Sequence, residues 1–177
     1  LADGVTDADL IEAGATDSKK LSPKRRVAAR ERLRELGTPN VRTISCPAID
    51  AGNLNRLEEA LILALIVDHR PDRVIIDALG HPSTLPATMA RFLGELAKHG
   101  LAPDLVMEPK ADLNHAVVGA ASIFAKTARD EALEEHAKAF GVLGSGYPSD
   151  PKTKAWLEGW HRTGEPWPGF VRTRWGT

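Results

Sequence analysis

The sequence predicts an α/β layered fold with a mostly parallel central sheet flanked by helices. Two short apolar runs, Val74-Ile75-Ile76 and Leu105-Val106-Met107, each lead out into acidic residues. Helical patterns precede and follow both runs, and strands that alternate with helices pack as layers around parallel strands. The third observation is size: 177 residues, 42% hydrophobic and 27% charged, suit one globular domain.

The elements follow in chain order. Ser22-Pro23 couples an N-cap to a proline suited to the first helical turn, and Gly37 supplies a stop, so a helix is expected between them. Val41-Arg42-Thr43-Ile44-Ser45 alternates with the period of a strand. Residues 53–69 set Leu54, Leu57, Leu61 and Leu65 on one helical face, closed by Pro71. Residues 73–77 form the first apolar run, ending in Asp77, the pattern of a buried strand whose end faces a crevice. After His81-Pro82-Ser83, the residues Met89, Phe92, Leu93 and Leu96 recur at helical spacing up to Gly100. The second strand then runs into Glu108-Pro109-Lys110-Ala111-Asp112. A long helix is expected over 114–140, and its early small residues Gly119, Ala120, Ala121 and Ser122 suit close packing against the sheet. Residues 144–153 form a glycine- and proline-rich loop around the chain's single tyrosine, Tyr147, and Pro151 opens a final short helix.

Composition removes several classes of function. The longest apolar run, residues 60–67, lies between Glu59 and Asp68, well short of the roughly 20 residues a membrane span needs. A single cysteine, Cys46, forms no internal disulfide, and no signal peptide is visible, so a cytoplasmic location is expected. The six histidines lack zinc spacing, and no glycine-rich nucleotide loop is present. A net charge of −1 argues against indiscriminate coating of nucleic acid. Any affinity for phosphate must therefore come from local clustering, and residues 17–34 carry eight cations against two acids. Such a run reads either as a solvated helix face or as a phosphate patch.

Asp77 and Asp112 each follow an apolar strand. If the two strands are neighbours, their carboxylates converge at one sheet edge, and paired carboxylates suit Mg²⁺. Spacing alone favours a plainer account in which Asp77 caps a turn and Asp112 caps the following helix. Tyr147 is likewise open to two accounts: a flat contact surface for a sugar or base, or a side chain carried by a rigid helix-entry loop.

Five separated islands bear on that choice. Asp17-Ser18-Lys19-Lys20-Leu21-Ser22, Gly52-Asn53-Leu54-Asn55, Lys110-Ala111-Asp112, Ala120-Ala121-Ser122-Ile123-Phe124-Ala125-Lys126 with Arg129-Asp130, and the loop 144–153 together resemble ribonuclease HII in order and spacing. The archaeal form is the most similar, and Arg172-Thr173-Arg174-Trp175 extends the likeness to the end of the chain. The resemblance implies a ribonuclease H-like catalytic domain over residues 1–177. It further implies a monomer that cuts the RNA strand of RNA/DNA hybrids and incises duplex DNA 5′ of embedded ribonucleotides, with two Mg²⁺ or Mn²⁺ ions as cofactors. By motif position, Asp77 and Asp112 would be catalytic metal ligands, the third and fourth of four acids. Substrate would be bound by Asp17, Ser18, Lys19, Lys20, Ser122, Lys126, Gly146 and Tyr147, with the lysines on phosphate and the tyrosine on the sugar at the RNA-to-DNA junction.

Three departures accompany the likeness. The family's opening strand, with an adjacent Asp-Glu pair and a glycine-rich turn, precedes the first residue here, and Glu12-Ala13-Gly14 is not a substitute for it. The closing helix is shortened, and Gly119 stands where the family more often has serine. The domain is accordingly expected to be incomplete at its N-terminus, and a gap in a central sheet would expose unpaired backbone. A second functional expectation follows, from a different class: a non-catalytic nucleic-acid-binding remnant of the same fold.

Overall fold

A computed structural model of the chain describes residues 1–79 and 81–174. Its elements are α1 (Asp7–Glu12), α2 (Pro23–Arg34), α3 (Cys46–Ala51), α4 (Leu54–His69), β1 (Arg73–Asp77), α5 (Leu85–Lys98), β2 (Asp104–Glu108), α6 (Ala111–Asn114), α7 (Ala116–Phe140) and α8 (Pro151–Thr163). Short 3₁₀ turns at Ser18–Lys20 and Pro82–Thr84 join some of them. The fold is mixed α/β, as the apolar runs predict.

Strands β1 and β2 pair in parallel, with Arg73 opposite Asp104 and Asp77 opposite Glu108. Parallel neighbours require a crossover, and α5 supplies it. Its inward residues Phe92 and Leu96 are fully buried and pack with Ile66 of α4, Ile76 and Met107. Leu93, which the sequence pattern groups with them, is instead 42% exposed, because it falls on the far side of the same helix. Gly94 lies in this helix, and a β-carbon there would meet nothing within 4 Å. Gly94→Ala is therefore expected to stabilise the protein by up to about 1 kcal/mol in urea unfolding, the helix-propensity difference between the two residues.

A second core joins three helices. Leu10 and Ala13 of the α1 region, Ala29 and Leu33 of α2, and Ala120 and Ile123 of α7 form one buried cluster. Of the small residues of α7, Ala120 therefore packs on α1 and α2 rather than on the sheet, and Ala121 is exposed. At Gly119 a β-carbon would stand 3.4 Å from the Asp112 carbonyl and 3.5 Å from that of Thr16, ordinary contacts that leave room for a larger residue.

Two expected elements differ. Residues 41–45 form no strand, since no other strand lies beside them among the described residues, and Ser45 turns instead into the N-cap of α3 through Ala48 N–H at 3.3 Å. Alternation alone builds no ladder without a partner. The helix expected over 114–140 is broken at His115, which is extended (φ −129°) and separates α6 from α7. Near the C-terminus, Thr173 donates from its amide and hydroxyl to Asp50 at 2.6 and 2.8 Å, while Trp175 lies outside the described residues.

Candidate nucleic-acid interface and acid pair

The path from β2 to α6 sets the geometry of the acids. Pro109 ends the strand, and Lys110 takes a left-handed conformation (φ 60°, ψ 34°) that costs a non-glycine residue on the order of 1 kcal/mol. This turn aims the Ala111 amide back at the neighbouring strand, where it donates to Asp77 Oδ1 at 3.2 Å. Asp112 is the next residue, so this amide ties the end of β1 to the position just before Asp112. The parallel pairing of β1 and β2 that convergence requires is present, and the Asp77 contact to the first residue of α6 is also what the capping account expects.

Asp112 is the more enclosed, with its side chain 9% exposed and Lys19 Nζ 4.0 Å from its Oδ2. Asp77 Oδ2 and Asp112 Oδ1 accept no hydrogen bond among the described residues. Uncommitted carboxylate oxygens are hard donors that fit a hydrated Mg²⁺ or Mn²⁺, which binds proteins through one or two carboxylates. Among the described residues no group of three or more His, Cys, Asp or Glu side chains is arranged to hold a metal. Glu108, opposite Asp77 in the register, is already engaged: its Oε1 accepts from Asn114 Nδ2 at 2.7 Å and lies 3.2 Å from His115 Nε2.

Lys19 reaches Asp112 from the 3₁₀ turn Ser18–Lys20. Asp17 caps that turn, accepting the Lys19 amide at 3.0 Å and lying 4.0 Å from Lys20 Nζ. Ser18 is buried, whereas Lys19 and Lys20 extend into solvent. The cation run beyond them divides in two. Arg26 is buried against Asp130 at 2.6 Å, Arg30 pairs with Glu131 at 2.5 Å, Arg34 pairs with Glu31 at 3.3 Å, and Arg32 donates to the Ala13 carbonyl at 3.0 Å. Lys24 and Arg25 are exposed and make no ion pair among the described residues. Exposed positive charge is thus gathered in the lysine turn and at the N-terminal end of α2, while Arg26, Arg30 and Arg32 tie α2 to its neighbours and Arg34 pairs within the helix.

Helix α7 carries the site toward Tyr147. Ser122, Lys126 and Arg129 are spaced four and three residues apart, hence on one face, with Ile123 and Thr127 buried behind them. Gly119, in contact range of the Asp112 carbonyl, stands ten residues before Arg129, about 15 Å along the helix axis. Tyr147 is 44% exposed, and Arg129 Cζ lies 4.1 Å from its ring centroid. The tyrosine is therefore linked to the acid pair along α7 rather than touching it.

The loop that presents the tyrosine is built from within. Thr153, buried at the start of α8, donates to the Leu143 carbonyl and accepts from the Gly146 amide, both at 2.9 Å. Gly144 (φ 69°) lies so close that a β-carbon would sit 2.7 Å from Thr153 N and Asp150 Oδ2. Asp150 accepts the Ser145 amide at 2.5 Å and the Lys152 amide at 2.9 Å. The Ser145 amide first, then the Ser145 hydroxyl and the Lys152 amide, hold its carboxyl down to about 2 from an ordinary 3.8. A depressed carboxyl stabilises the loop above its unfolded pKa and loses that contribution as pH falls through the folded value. The loop is accordingly expected to keep its structure at pH 5 and loosen between about pH 4 and pH 2, read as rising proteolytic cleavage near residue 147 ahead of global unfolding.

A parallel α/β pair with acids at and beyond its carboxyl edge, a lysine turn at one of them and an exposed tyrosine loop further along suits a hydrolase that works on nucleic acid. The family model described as Ribonuclease HII matches residues 3–177. Ribonuclease HII of Methanothermobacter thermautotrophicus is 36% identical across 95% of this chain and 82% of its own length. That of Thermococcus onnurineus is 41% identical across 95% of this chain and 74% of its own. In structure, the ribonuclease chain of the PCNA:RNase HII complex from Archaeoglobus fulgidus superposes with a TM-score of 0.81 at 32% identity, covering 97% of this chain and 83% of that one. Ribonuclease H2 from Pyrococcus horikoshii gives 0.78 at 32% identity over 94% and 79%. The chain belongs to the ribonuclease HII family and is a ribonuclease H-type endonuclease by descent. Metal dependence is general in that family. Among the described residues no helix is long and apolar enough to cross a membrane.

The sequence counts Arg26 only as one of a basic run, and Arg129, Asp130, Asp150 and Thr153 only as members of family-like motifs, with no contact assigned to any of them. Periodicity carried one signal: Arg26, Ala29 and Leu33 recur at helical spacing on the inward face of α2.

Proposed function

We propose that this protein hydrolyses the RNA strand of RNA/DNA hybrids and incises duplex DNA 5′ of an embedded ribonucleotide, in the cytoplasm and as a monomer. The observation that carries the proposal is the hydrogen bond from the Ala111 amide to Asp77, which ties the end of β1 to the residue before Asp112 and supports a shared site for the two acids.

In this reading Asp77 and Asp112 are the catalytic acids and would hold Mg²⁺ or Mn²⁺. When bound, one or two such ions offset charge on the scissile phosphate and make water a stronger acid. Lys19 and Lys20, free to swing into solvent, grip phosphates on either side of the cut. Asp17 and Ser18 shape the turn that presents those lysines. Ser122 and Lys126, on the face of α7 between acids and tyrosine, follow the backbone of the bound strand. Gly146 lets the loop approach that backbone, and Tyr147 packs on the sugar at the RNA-to-DNA junction, where the 2′-hydroxyl marks the ribonucleotide. No side-chain nucleophile is required, since water can attack phosphorus directly.

The test is cleavage of a DNA duplex with one ribonucleotide, a continuous RNA/DNA hybrid and an all-DNA duplex, each with Mg²⁺ and with Mn²⁺. Incision of the first two and not the third is the expected result. Cutting of all three would overturn the proposed requirement for a ribonucleotide. Salt-sensitive binding of the duplexes without cleavage would assign the chain to the non-catalytic remnant class.

A further inference from the structure

The ring of Tyr147 is held from behind. The Arg129 guanidinium covers one of its faces at 4.1 Å, and Arg129 Nη2 donates to the Ser145 carbonyl two residues before it at 2.7 Å. Gly146 is part of the same contact: a β-carbon there would stand 3.0 Å from Arg129 Nη2 and 3.2 Å from Leu133 Cδ2. On its other side, Arg129 Nη1 donates to Asp130 Oδ1 at 3.2 Å. The second oxygen of Asp130 accepts from Arg26 Nη2 at 2.6 Å. Arg26 Nη1 in turn donates to the Leu21 carbonyl at 2.6 Å and the Ser18 carbonyl at 3.3 Å, inside the lysine turn. An unbroken series of charged contacts thus runs from the lysine turn through two arginines and an aspartate to the tyrosine loop.

We propose that Arg129 is a positioning residue that sets the pose of Tyr147, and that Arg26, Asp130 and Arg129 lock that ring in register with Lys19 and Lys20. The functional part of this inference rests on the reading of Tyr147 as the junction residue. A guanidinium stacked on one face leaves the other for a sugar, and it stops the phenol from collapsing onto the loop. Phosphate grip and sugar contact then move as one unit. A hybrid that fits the lysines presents its junction to a ring already oriented, which lowers the ordering cost of binding.

The single tyrosine permits a direct test. Protein labelled with 3-fluorotyrosine gives one ¹⁹F resonance from position 147. Arg129→Lys keeps a cation near Asp130 but removes the planar group beneath the ring, and is expected to shift that resonance toward its value in the unfolded chain. Asp130→Asn, which loosens Arg129 and Arg26 together, is expected to shift it in the same direction by a smaller amount. On duplexes, Arg129→Lys should lower the ratio of embedded-ribonucleotide to continuous-hybrid cleavage by about tenfold. The double variant Tyr147→Ala/Arg129→Lys should be no worse than Tyr147→Ala alone, because Arg129 acts through the ring. An unmoved resonance, or losses that add in the double variant, would overturn the proposal. A shifted resonance with a cleavage ratio that Tyr147→Ala leaves unchanged would uphold the positioning link and remove only the junction role.

Discussion

Asp77→Asn and Asp112→Asn are each expected to lower hydrolysis of a ribonucleotide-containing duplex on the order of 10²-fold or more, with duplex binding largely retained. Asparagine keeps the shape and one carbonyl oxygen, so the Ala111 amide still finds an acceptor at position 77. What is lost is the negative charge that a divalent cation needs, along with one of its hard oxygen donors. Asp112→Asn should cost more than Asp77→Asn, because the Asp112 side chain is 9% exposed and faces Lys19, whereas Asp77 lies at an exposed rim. Removing the buried carboxylate also leaves the Lys19 ammonium without its partner. Single-turnover cleavage with Mg²⁺ in excess separates this loss from any change in duplex affinity. Equal rates for the wild type and both variants would remove these acids from the mechanism.

The largest effect on stability is expected from Asp130→Ala. Arg26 is buried beneath α7, its side chain 8% exposed, and Asp130 is the one carboxylate that meets it among the described residues. Its Nε already lacks a hydrogen-bond partner, so the enclosure is costly before any change. Stripping the partner from a buried charge costs about 3–5 kcal/mol; the lower end applies here, since Asp130 keeps 26% exposure. Urea unfolding reads that loss, and the double variant Asp130→Ala/Arg26→Met should recover a large part of it, because an apolar side chain of similar length does not need a counter-charge. If the double variant is as unstable as Asp130→Ala, the cost belongs to Arg129 and the tyrosine loop rather than to Arg26.

These two expectations differ in how far they could be read from the chain itself. The strand pair was legible: two apolar runs ending in Asp77 and Glu108, separated by one helical segment, are the signature of parallel neighbours with loops at a common edge. Helices α2, α4, α5 and α8 were legible from caps and periodicity, since Ser22, Asn53 and Asp150 all cap the helices they precede. The region before residue 17 shows a missed signal of the same kind. Thr6 and Asp9 form a reciprocal capping box, a local pattern that marks the start of α1.

Other features depend on partners distant in sequence. Residues 41–45 carry strand alternation but lack a neighbouring strand, and pairing is a tertiary property. The break between α6 and α7 falls at the extended His115, which no local signal marks, and the left-handed Lys110 that starts α6 serves a contact between Ala111 and Asp77, 34 positions apart. Arg26 appears as one of eight similar cations in the sequence, and only its meeting with Asp130, 104 positions away, separates it from the exposed lysines. The run of positive charge therefore divides: Lys19, Lys20, Lys24 and Arg25 stay exposed, while Arg26 and Arg30 join α2 to α7, a role that neither sequence reading included.

The central claim is that Asp77 and Asp112 together form a site for a divalent cation, and Mn²⁺ binding measures it without reference to catalysis. Calorimetric titration of the 177-residue protein with Mn²⁺ is expected to show binding that weakens by at least about tenfold in either Asp77→Asn or Asp112→Asn and disappears in the double variant. Mn²⁺ affinity that is the same in the wild type and the double variant would contradict the account.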